Sequence, residues 1–237
     1  MSRSRPNSQY NVAKPDSLPV RLAAYQRRRM YDRFLKDITI RAEDSLLDVG
    51  VTSDRSYEAS NYVEAWYPHK NQITALGIDD ASFLEGQYPG MKFVQASGLD
   101  MPFDDRSFDI VHSSAVIEHV GCYANQIKFV QECARVSRKA IFLTTPNRWF
   151  PVEFHTVLPL LHWLPKSWFR AILSTMNMHF FATEDNLNLL SARQCKRFAK
   201  ALPDFEVSVS SVSLGGWPSN LLLVARRRAK SAADPIS

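Results

Sequence analysis

The chain of 237 residues has few of the features that mark exported, membrane-spanning or metal-stapled proteins. Its three cysteines, Cys122, Cys133 and Cys195, form no CxxC pair and leave one odd thiol, which argues against a disulfide framework and a structural zinc site. No metal site is expected. No apolar run reaches the roughly 18 residues of a membrane span, and the N-terminal segment lacks the apolar core of a signal peptide. We therefore expect a cytoplasmic protein.

The net charge of +5 is concentrated at the two ends of the chain. Residues 1–41 hold ten Lys and Arg against three acids, and residues 226–237 hold four against one. The body between them is acidic, so we expect no nucleic-acid partner. The basic ends suit phosphate or an anionic membrane surface. The alternative is a solvated helix face followed by a frayed terminus.

Length and composition indicate one domain with tails. Residues 1–17 are rich in Ser, Arg, Pro and Asn and are predicted to be a disordered tail. Residues 18–41 are predicted to form an amphipathic helix that flanks or covers the domain, or contacts a membrane peripherally. Residues 42–226 then form the domain, and 227–237 a basic tail. The apolar positions of the helix are Leu22, Tyr25, Met30, Phe34 and Ile38.

Short apolar runs alternate with helical patterns such as residues 118–137. The runs are 45–49, 73–78, 92–95, 108–113 and 140–145. This alternation predicts a parallel sheet, because each parallel crossover needs about a dozen residues or more. Two further extended runs, 205–214 and 219–226, are separated only by the turn sequence GGWP and predict an antiparallel hairpin. The expected fold is a doubly wound, Rossmann-like α/β sheet.

The segment of residues 148–188 is too long for an ordinary loop and is rich in aromatic residues. Pro151, Pro159 and Pro165 divide it, and we predict a helical cap insertion over the site. Aromatic side chains with polar tips suit sugar faces, quinoid rings or a membrane interface. The alternative is a cap that buries its own aromatic residues.

Ligands of an open α/β sheet bind beyond the carboxyl ends of the strands, so the residues that end each strand are the candidate site. In chain order these segments are Asp48–Asp54 (DVGVTSD), Gly77–Asp80 (GIDD), Ala96–Asp105 (ASGLDMPFDD), Phe108–Val120 (FDIVHSSAVIEHV) and Phe142–Asn147 (FLTTPN). The ordered series resembles the class I S-adenosylmethionine-dependent methyltransferases, in particular their type 11-like domain. The resemblance extends from about Asp44 to Arg226.

This resemblance implies a seven-stranded, mostly parallel sheet and S-adenosyl-L-methionine as cofactor. It implies that the first-strand loop holds the methionine moiety, that an acid after strand two holds the ribose, and that the strand-three end contacts adenine. The matching positions are Asp48, Gly50, Thr52, Ser53, Asp79, Asp80, Ser97, Gly98, Leu99 and Ser113. The loop departs from the family pattern Gly-x-Gly-x-Gly, since it keeps one glycine. Asp79 is the better ribose candidate; the alternative for either acid is a helix N-cap.

His119 follows strand four at the mouth of this site, and histidine is the usual general base near neutral pH. His155 in the insertion is a second catalytic candidate, whereas His112 within a strand is expected to be structural. The alternative for Glu118-His119 is a helix cap or a wall of the site. The Asn/Asp-Pro-Pro motif of amino-group methylation is missing after strand four, so methylation of a flipped base is not expected.

The function predicted from these residues is S-adenosylmethionine-dependent methyl transfer to a small-molecule, sugar or lipid-linked glycan acceptor. The alternative is a catalytically inactive methyltransferase-fold subunit with a binding or regulatory role, which the missing glycines favour.

Overall fold

A seven-stranded sheet runs through the computed structural model, which describes residues 17–55 and 58–229. The strands are β1 (Leu46–Val49), β2 (Ile73–Gly77), β3 (Lys92–Gln95), β4 (Phe108–Ser114), β5 (Ser137–Pro146), β6 (Phe205–Leu214) and β7 (Trp217–Arg227). Their order is β3-β2-β1-β4-β5-β7-β6. The first five strands pair in parallel, and β7 pairs antiparallel with both β5 and β6. The predicted fold class is confirmed.

Helices connect the strands. They are α1 (Leu18–Asp37), α2 (Tyr62–Trp66), α3 (Phe83–Gln87), α4 (Tyr123–Val136), α5 (Lys166–Thr175) and α6 (Ala192–Arg197). The helix predicted over residues 118–137 is divided into a short 3-10 turn, Ile117–His119, and α4. Gly121 lies between them with φ of +90°, a backbone conformation that no right-handed helix contains. Residues 1–16 and 230–237, which hold most of the two predicted tails, lie outside the described residues.

Alternation along the strands places apolar side chains on both faces of the sheet. In β5, Ile141 and Leu143 join one buried cluster with α4, whereas Ala140 and Phe142 join a second cluster with α1 and α2. Helices therefore cover both faces, and the central strands are buried throughout. This burial leaves the strand ends as the accessible part of the sheet's centre.

Helix α1 packs as a flank on the second of these faces. Phe34 is fully buried, with its ring centroid 5.1 Å from that of His112 and 5.3 Å from that of Phe142. Gln26 donates to the backbone oxygen of Ser213 at 3.0 Å, which ties the helix to β6. The apolar positions Met30, Phe34 and Ile38 are thus buried against the sheet, whereas Tyr25 is 56% exposed, and the peripheral membrane contact remains a prediction. No helix within residues 17–55 and 58–229 has the length and hydropathy needed to cross a bilayer.

The insertion of residues 148–188 packs at the carboxyl end of β4. The backbone N–H of Asn188 donates to the oxygen of Glu118, and its side chain donates to the oxygen of Gly121, both at 2.7 Å. The insertion has a small core of its own, although Trp168 on α5 is 66% exposed. The members of this core are Phe169, Leu173, Phe181, Leu187 and Leu189.

The packing of α1 predicts that Phe34→Ala lowers the free energy of unfolding by about 3–5 kcal/mol, because it leaves a cavity against two rings. The adjacent Leu35→Ala is the matched control, since Leu35 is 40% exposed; it should cost less than about 1 kcal/mol. Urea denaturation of both variants measures the difference. Equal losses would contradict the docking of this helix.

Candidate active site

Asp48 ends β1 with its carboxylate directed at His112 of β4. The two residues are register partners in the parallel pairing of these strands, and Asp48 Oδ1 lies 2.6 Å from His112 Nδ1. His112 Nε2 lies 2.9 Å from the Tyr62 hydroxyl. Burial raises the pKa of Asp48 to about 7 and lowers the pKa of His112 to about 4. One oxygen of Asp48 is therefore already engaged within the protein.

A second buried acid, Glu64 of α2, lies beside this pair. Burial, followed by the neighbouring charge of Asp48, raises the pKa of Glu64 well above its usual value. Both of its carboxylate oxygens are buried without a hydrogen-bond partner among the described residues. This environment favours the neutral form of Glu64, since an isolated buried carboxylate is costly. The sequence analysis did not identify Glu64 or Tyr62.

The loop after β1 is fixed by contacts within the protein. Gly50 has φ of +96°, and a Cβ atom there would lie 2.1 Å from Val116 Cγ2. Asn61 holds Thr52 at both backbone groups: its side-chain oxygen accepts from the Thr52 N–H and its amide donates to the Thr52 oxygen, each at 2.9 Å. The Thr52 hydroxyl accepts from the N–H of Asp54 at 3.1 Å. The one remaining glycine is thus required by the backbone, and cofactor contacts of Thr52 and Ser53 remain predictions.

Asp79 and Asp80 follow β2 in different environments. Asp80 is exposed and accepts from the N–H of Ser82 at 2.9 Å, and these bonds to Ser82 hold its pKa below the usual value. This contact is an Asx-type turn that leads into α3, whose N-cap is Ser82, so Asp80 is not the N-cap of that helix. Asp79 is half-buried at the strand end, next to Ile78, which is 70% exposed. Asp79 is thus the half-buried acid at the carboxyl end of β2.

The predicted site residues after β3 and within β4 include both half-buried and fully buried groups. Ser97 accepts from the N–H of Leu99 at 3.1 Å in a tight turn. A Cβ at Gly98 would lie 2.8 Å from the ring of Phe129, so this glycine permits close packing on α4. Ser113 is buried and donates to the backbone oxygen of Val49 at 2.7 Å. Cofactor contacts at Ser97, Gly98, Leu99 and Ser113 remain predictions.

Glu118, His119 and His155 meet at the carboxyl end of β4, although 36 residues separate the two histidines. His119 Nε2 lies 3.0 Å from His155 Nε2. Glu118 is fully buried, with Oε1 3.9 Å from His119 Nε2 and 4.0 Å from His155 Nε2. The structure therefore brings both predicted catalytic histidines together. We call this group the Glu-His-His cluster.

Other groups orient the members of the cluster. Thr145 donates to Glu118 Oε2 at 2.9 Å, the Asn186 backbone oxygen lies 2.6 Å from His119 Nδ1, and Glu153 Oε1 lies 2.7 Å from His155 Nδ1. The sequence analysis missed all three, because they come from distant segments. From the sequence, only the position of Thr145 in β5 and of Glu153 and Asn186 in the insertion could have indicated that they lie near the site.

Burial and mutual charge shift the pKa values of the cluster in opposite directions. Burial raises the pKa of Glu118 to about 7, and burial with the neighbouring His155 lowers that of His119 to about 3. Burial opposes charge on His155 too, but the carboxylate of Glu153 outweighs it and raises the His155 pKa. Of the two histidines, His155 therefore has the higher pKa and is the more readily protonated.

Residues 47–143, which include β1 to β5 up to its middle, match the model of a methyltransferase domain family. The chain is 36% identical over 81 residues to a probable S-adenosylmethionine-dependent methyltransferase of Mycobacterium tuberculosis, covering 32% of this chain and 28% of the relative. This segment of the chain is therefore similar to a methyltransferase domain.

Two further likenesses extend this comparison. A phthiotriol/phenolphthiotriol dimycocerosates methyltransferase of the same species is 31% identical over 87 residues, covering 35% of this chain and 28% of the relative. The match thus spans less than a third of the length of either curated relative. Magnesium protoporphyrin IX methyltransferase from Synechocystis, solved with bound S-adenosylhomocysteine, superposes with a TM-score of 0.55 at 11% identity, covering 93% of this chain and 91% of that chain. This likeness shows the shared fold.

S-adenosylmethionine is the cofactor of the methyltransferases that this chain resembles, and the residues at the carboxyl ends of its strands fit this cofactor. Asp79 follows the carboxyl end of β2, and its carboxylate suits two ribose hydroxyls. The turn at Ser97 lies beside it, since β3 pairs with β2. At the next strand end, the N–H groups of Gly50 and Val51 both donate to the backbone oxygen of Leu76, at 2.7 and 3.1 Å. The fit is strongest at the ribose end and weakest at the loop, where a single glycine remains.

The loop geometry predicts that Gly50→Ala lowers the free energy of unfolding by about 2–4 kcal/mol, from backbone strain and the clash with Val116. Gly86→Ala in α3 is the control, because a Cβ there meets nothing within 4 Å. That substitution should be neutral or stabilising by about 0.5–1 kcal/mol, since alanine favours a helix. Thermal or urea unfolding compares them; a harmless Gly50→Ala would refute the loop conformation.

Proposed function

We propose that the chain binds S-adenosylmethionine across the carboxyl ends of β1, β2 and β3 and catalyses methyl transfer to an acceptor held beneath the insertion. The proposal rests on the position of Asp79, a half-buried acid that follows the carboxyl end of β2, the strand next to β1. Strand order reverses between β1 and β4: the chain runs from β1 through β2 to β3 on one side and returns from β3 to β4 on the other side of β1. Such a switch point is where open α/β sheets bind ligands.

When bound, S-adenosylmethionine supplies a methyl group carried on a sulfonium. The protein's contribution to such a displacement is alignment of donor and acceptor in a water-poor site. The Glu-His-His cluster lies at the end of β4, which neighbours β1, so it faces the side where an acceptor would enter. His119 and His155 are 13% and 11% exposed at their side chains. In their neutral forms they are the candidates to take the acceptor's proton, and a metal ion bound at both Nε2 atoms would exclude this role.

We infer that the acceptor has an apolar or sugar-like body, from three tryptophans near the end of β5, and an oxygen nucleophile. Trp149, Trp163 and Trp217 form a group with ring centroids 6.2 and 6.3 Å apart, and the outer two are each 48% exposed. Aromatic rings of this kind stack on sugar faces and on apolar chains. A lipid or lipid-linked glycan acceptor is consistent with the dimycocerosate lipid in the name of one relative. A small aromatic molecule or a sugar fits the same surface.

Binding of S-adenosylhomocysteine, measured by isothermal titration calorimetry, tests the cofactor site. Asp79→Ala should weaken binding about 10- to 100-fold, because it removes hydrogen bonds from a charged acceptor. Asp80→Ala is the matched control: its carboxylate already accepts from Ser82, so binding should change less than about threefold.

Two results would contradict this assignment. Wild-type protein without measurable heat at millimolar S-adenosylhomocysteine would refute the cofactor site. Equal affinity of Asp79→Ala and wild type would refute the ribose contact.

A second candidate function is a methyltransferase-fold subunit that binds a partner or another ligand without turnover. It is favoured by the engagement of Asp48 by His112, of the Thr52 hydroxyl by Asp54, and of Ser113 by Val49. The two functions differ in one readout. An enzyme releases S-adenosylhomocysteine from S-adenosylmethionine when lipid and sugar acceptors are supplied, whereas a silent subunit binds without release.

A further inference from the structure

The ligating atoms of the Glu-His-His cluster form a small triangle. Its sides are 3.0 Å between the two Nε2 atoms and 3.9 and 4.0 Å from these to Glu118 Oε1. A point equidistant from the three atoms lies roughly 2.1 Å from each, which is the bond length of Zn²⁺ to imidazole nitrogen and carboxylate oxygen. The side chains are therefore already spaced for one metal ion.

The hydrogen bonds around the cluster fix which ring nitrogens carry hydrogen. A backbone carbonyl only accepts, so His119 donates from Nδ1 to Asn186. A carboxylate also accepts, so His155 donates from Nδ1 to Glu153. In the neutral rings, both Nε2 atoms then carry lone pairs that face each other at 3.0 Å. Two lone pairs at this distance repel each other, and a cation between them, either a proton or a metal ion, removes the repulsion.

Two buried acids lie at the cluster. Glu118 and Glu153 are 0% and 2% exposed, and the ion pairs that they form within the described residues are with histidines. A divalent ion at the centre of the triangle would be a cationic partner for these acids, as buried carboxylates require. Oε1 of Glu118 has no hydrogen-bond partner among the described residues, so it is available to such an ion.

Each ligating residue also has the outer partner that metal ligands usually have. Asn186 and Glu153 orient the two imidazoles, and Thr145 holds the second oxygen of Glu118. Such partners fix the ring orientation and increase the basicity of the ligand. The histidine–carboxylate pair of His155 and Glu153 is the arrangement found behind many zinc-bound imidazoles.

We propose that Glu118, His119 and His155 form a binding site for a first-row divalent transition metal, with Zn²⁺ as the reference ion. Two imidazoles and one carboxylate form the ligand set of catalytic zinc and non-haem iron sites, which keep further positions open for water or substrate. The site departs from the sequence-based expectation, which considered cysteine ligands. It does not rest on the proposed methyl transfer.

The metal alone provides the first test. Full-length protein is stripped with a chelator and titrated with Zn²⁺ by calorimetry, and with Co²⁺ while the visible d–d absorption is recorded. We expect one equivalent to bind. At 100 times the dissociation constant, Zn²⁺ should raise the melting temperature by about 5–10 °C. A large excess of Mg²⁺ should leave the Co²⁺ spectrum unchanged, because Mg²⁺ prefers oxygen ligands.

Variants then locate the ion. His119→Ala and His155→Ala should each weaken Zn²⁺ binding by about 100-fold or more, whereas the positioning variant Glu153→Gln should weaken it about 10- to 100-fold. His179→Ala is the control, because His179 is an exposed histidine outside the cluster and should leave affinity unchanged. Glu118→Gln keeps the volume of the buried side chain and serves if the alanine variants unfold.

The proposal is overturned if stripped wild-type protein binds no Zn²⁺ or Co²⁺ and shows no change in melting temperature. In that case a proton on His155 would be the cation of the cluster. It is also overturned if the folded His119, His155 and Glu118 variants bind the metal as tightly as wild type does. Because these readouts need no S-adenosylmethionine, failure of the methyltransferase proposal would not affect them.

Discussion

The parallel pairing of β1 with both β2 and β4 is the constraint on which the rest of the molecule depends. It places the carboxyl ends of three strands at the same end of the sheet, so that the Gly50 loop, Asp79 and the segment leading to Glu118 become neighbours. It also sets Asp48 opposite His112, and their hydrogen bond joins the two strands inside the sheet. Helices on both faces bury the strands, and ligands can approach only from the ends.

Two groups of buried polar residues are the least expected part of this architecture. Asp48, His112 and Tyr62 lie beneath the β1 loop with Glu64, while Glu118, His119, His155 and Glu153 lie between β4 and the insertion. Buried ionisable groups destabilise a fold unless they are paired, and they concentrate at functional sites. The first group lies inside the sheet and supports the loop. The second is partly exposed under the insertion, where an acceptor or a metal ion can reach it.

The sequence predicted the sheet well because its signals are local: apolar runs, crossover lengths and the GGWP turn. The strand-end acids were likewise predictable, since Asp79 follows directly from the end of β2. Contacts that depend on register or on long loops were not. Asp48 was assigned to the cofactor without its bond to His112, because alignment of β1 with β4 cannot be read from either strand. The pairing of His119 with His155 depends on the path of the insertion, and a metal search based on cysteine spacing could not detect it.

The central claim is that the strand ends of β1, β2 and β3 bind S-adenosylmethionine. A crystal structure of the full chain with S-adenosylhomocysteine tests it most directly. The account predicts ribose hydroxyls within about 3 Å of the Asp79 carboxylate, adenine beside the turn at Ser97, and the amino-acid end next to Gly50. Ligand density at any other place, or a saturated crystal without density at this edge, would contradict it.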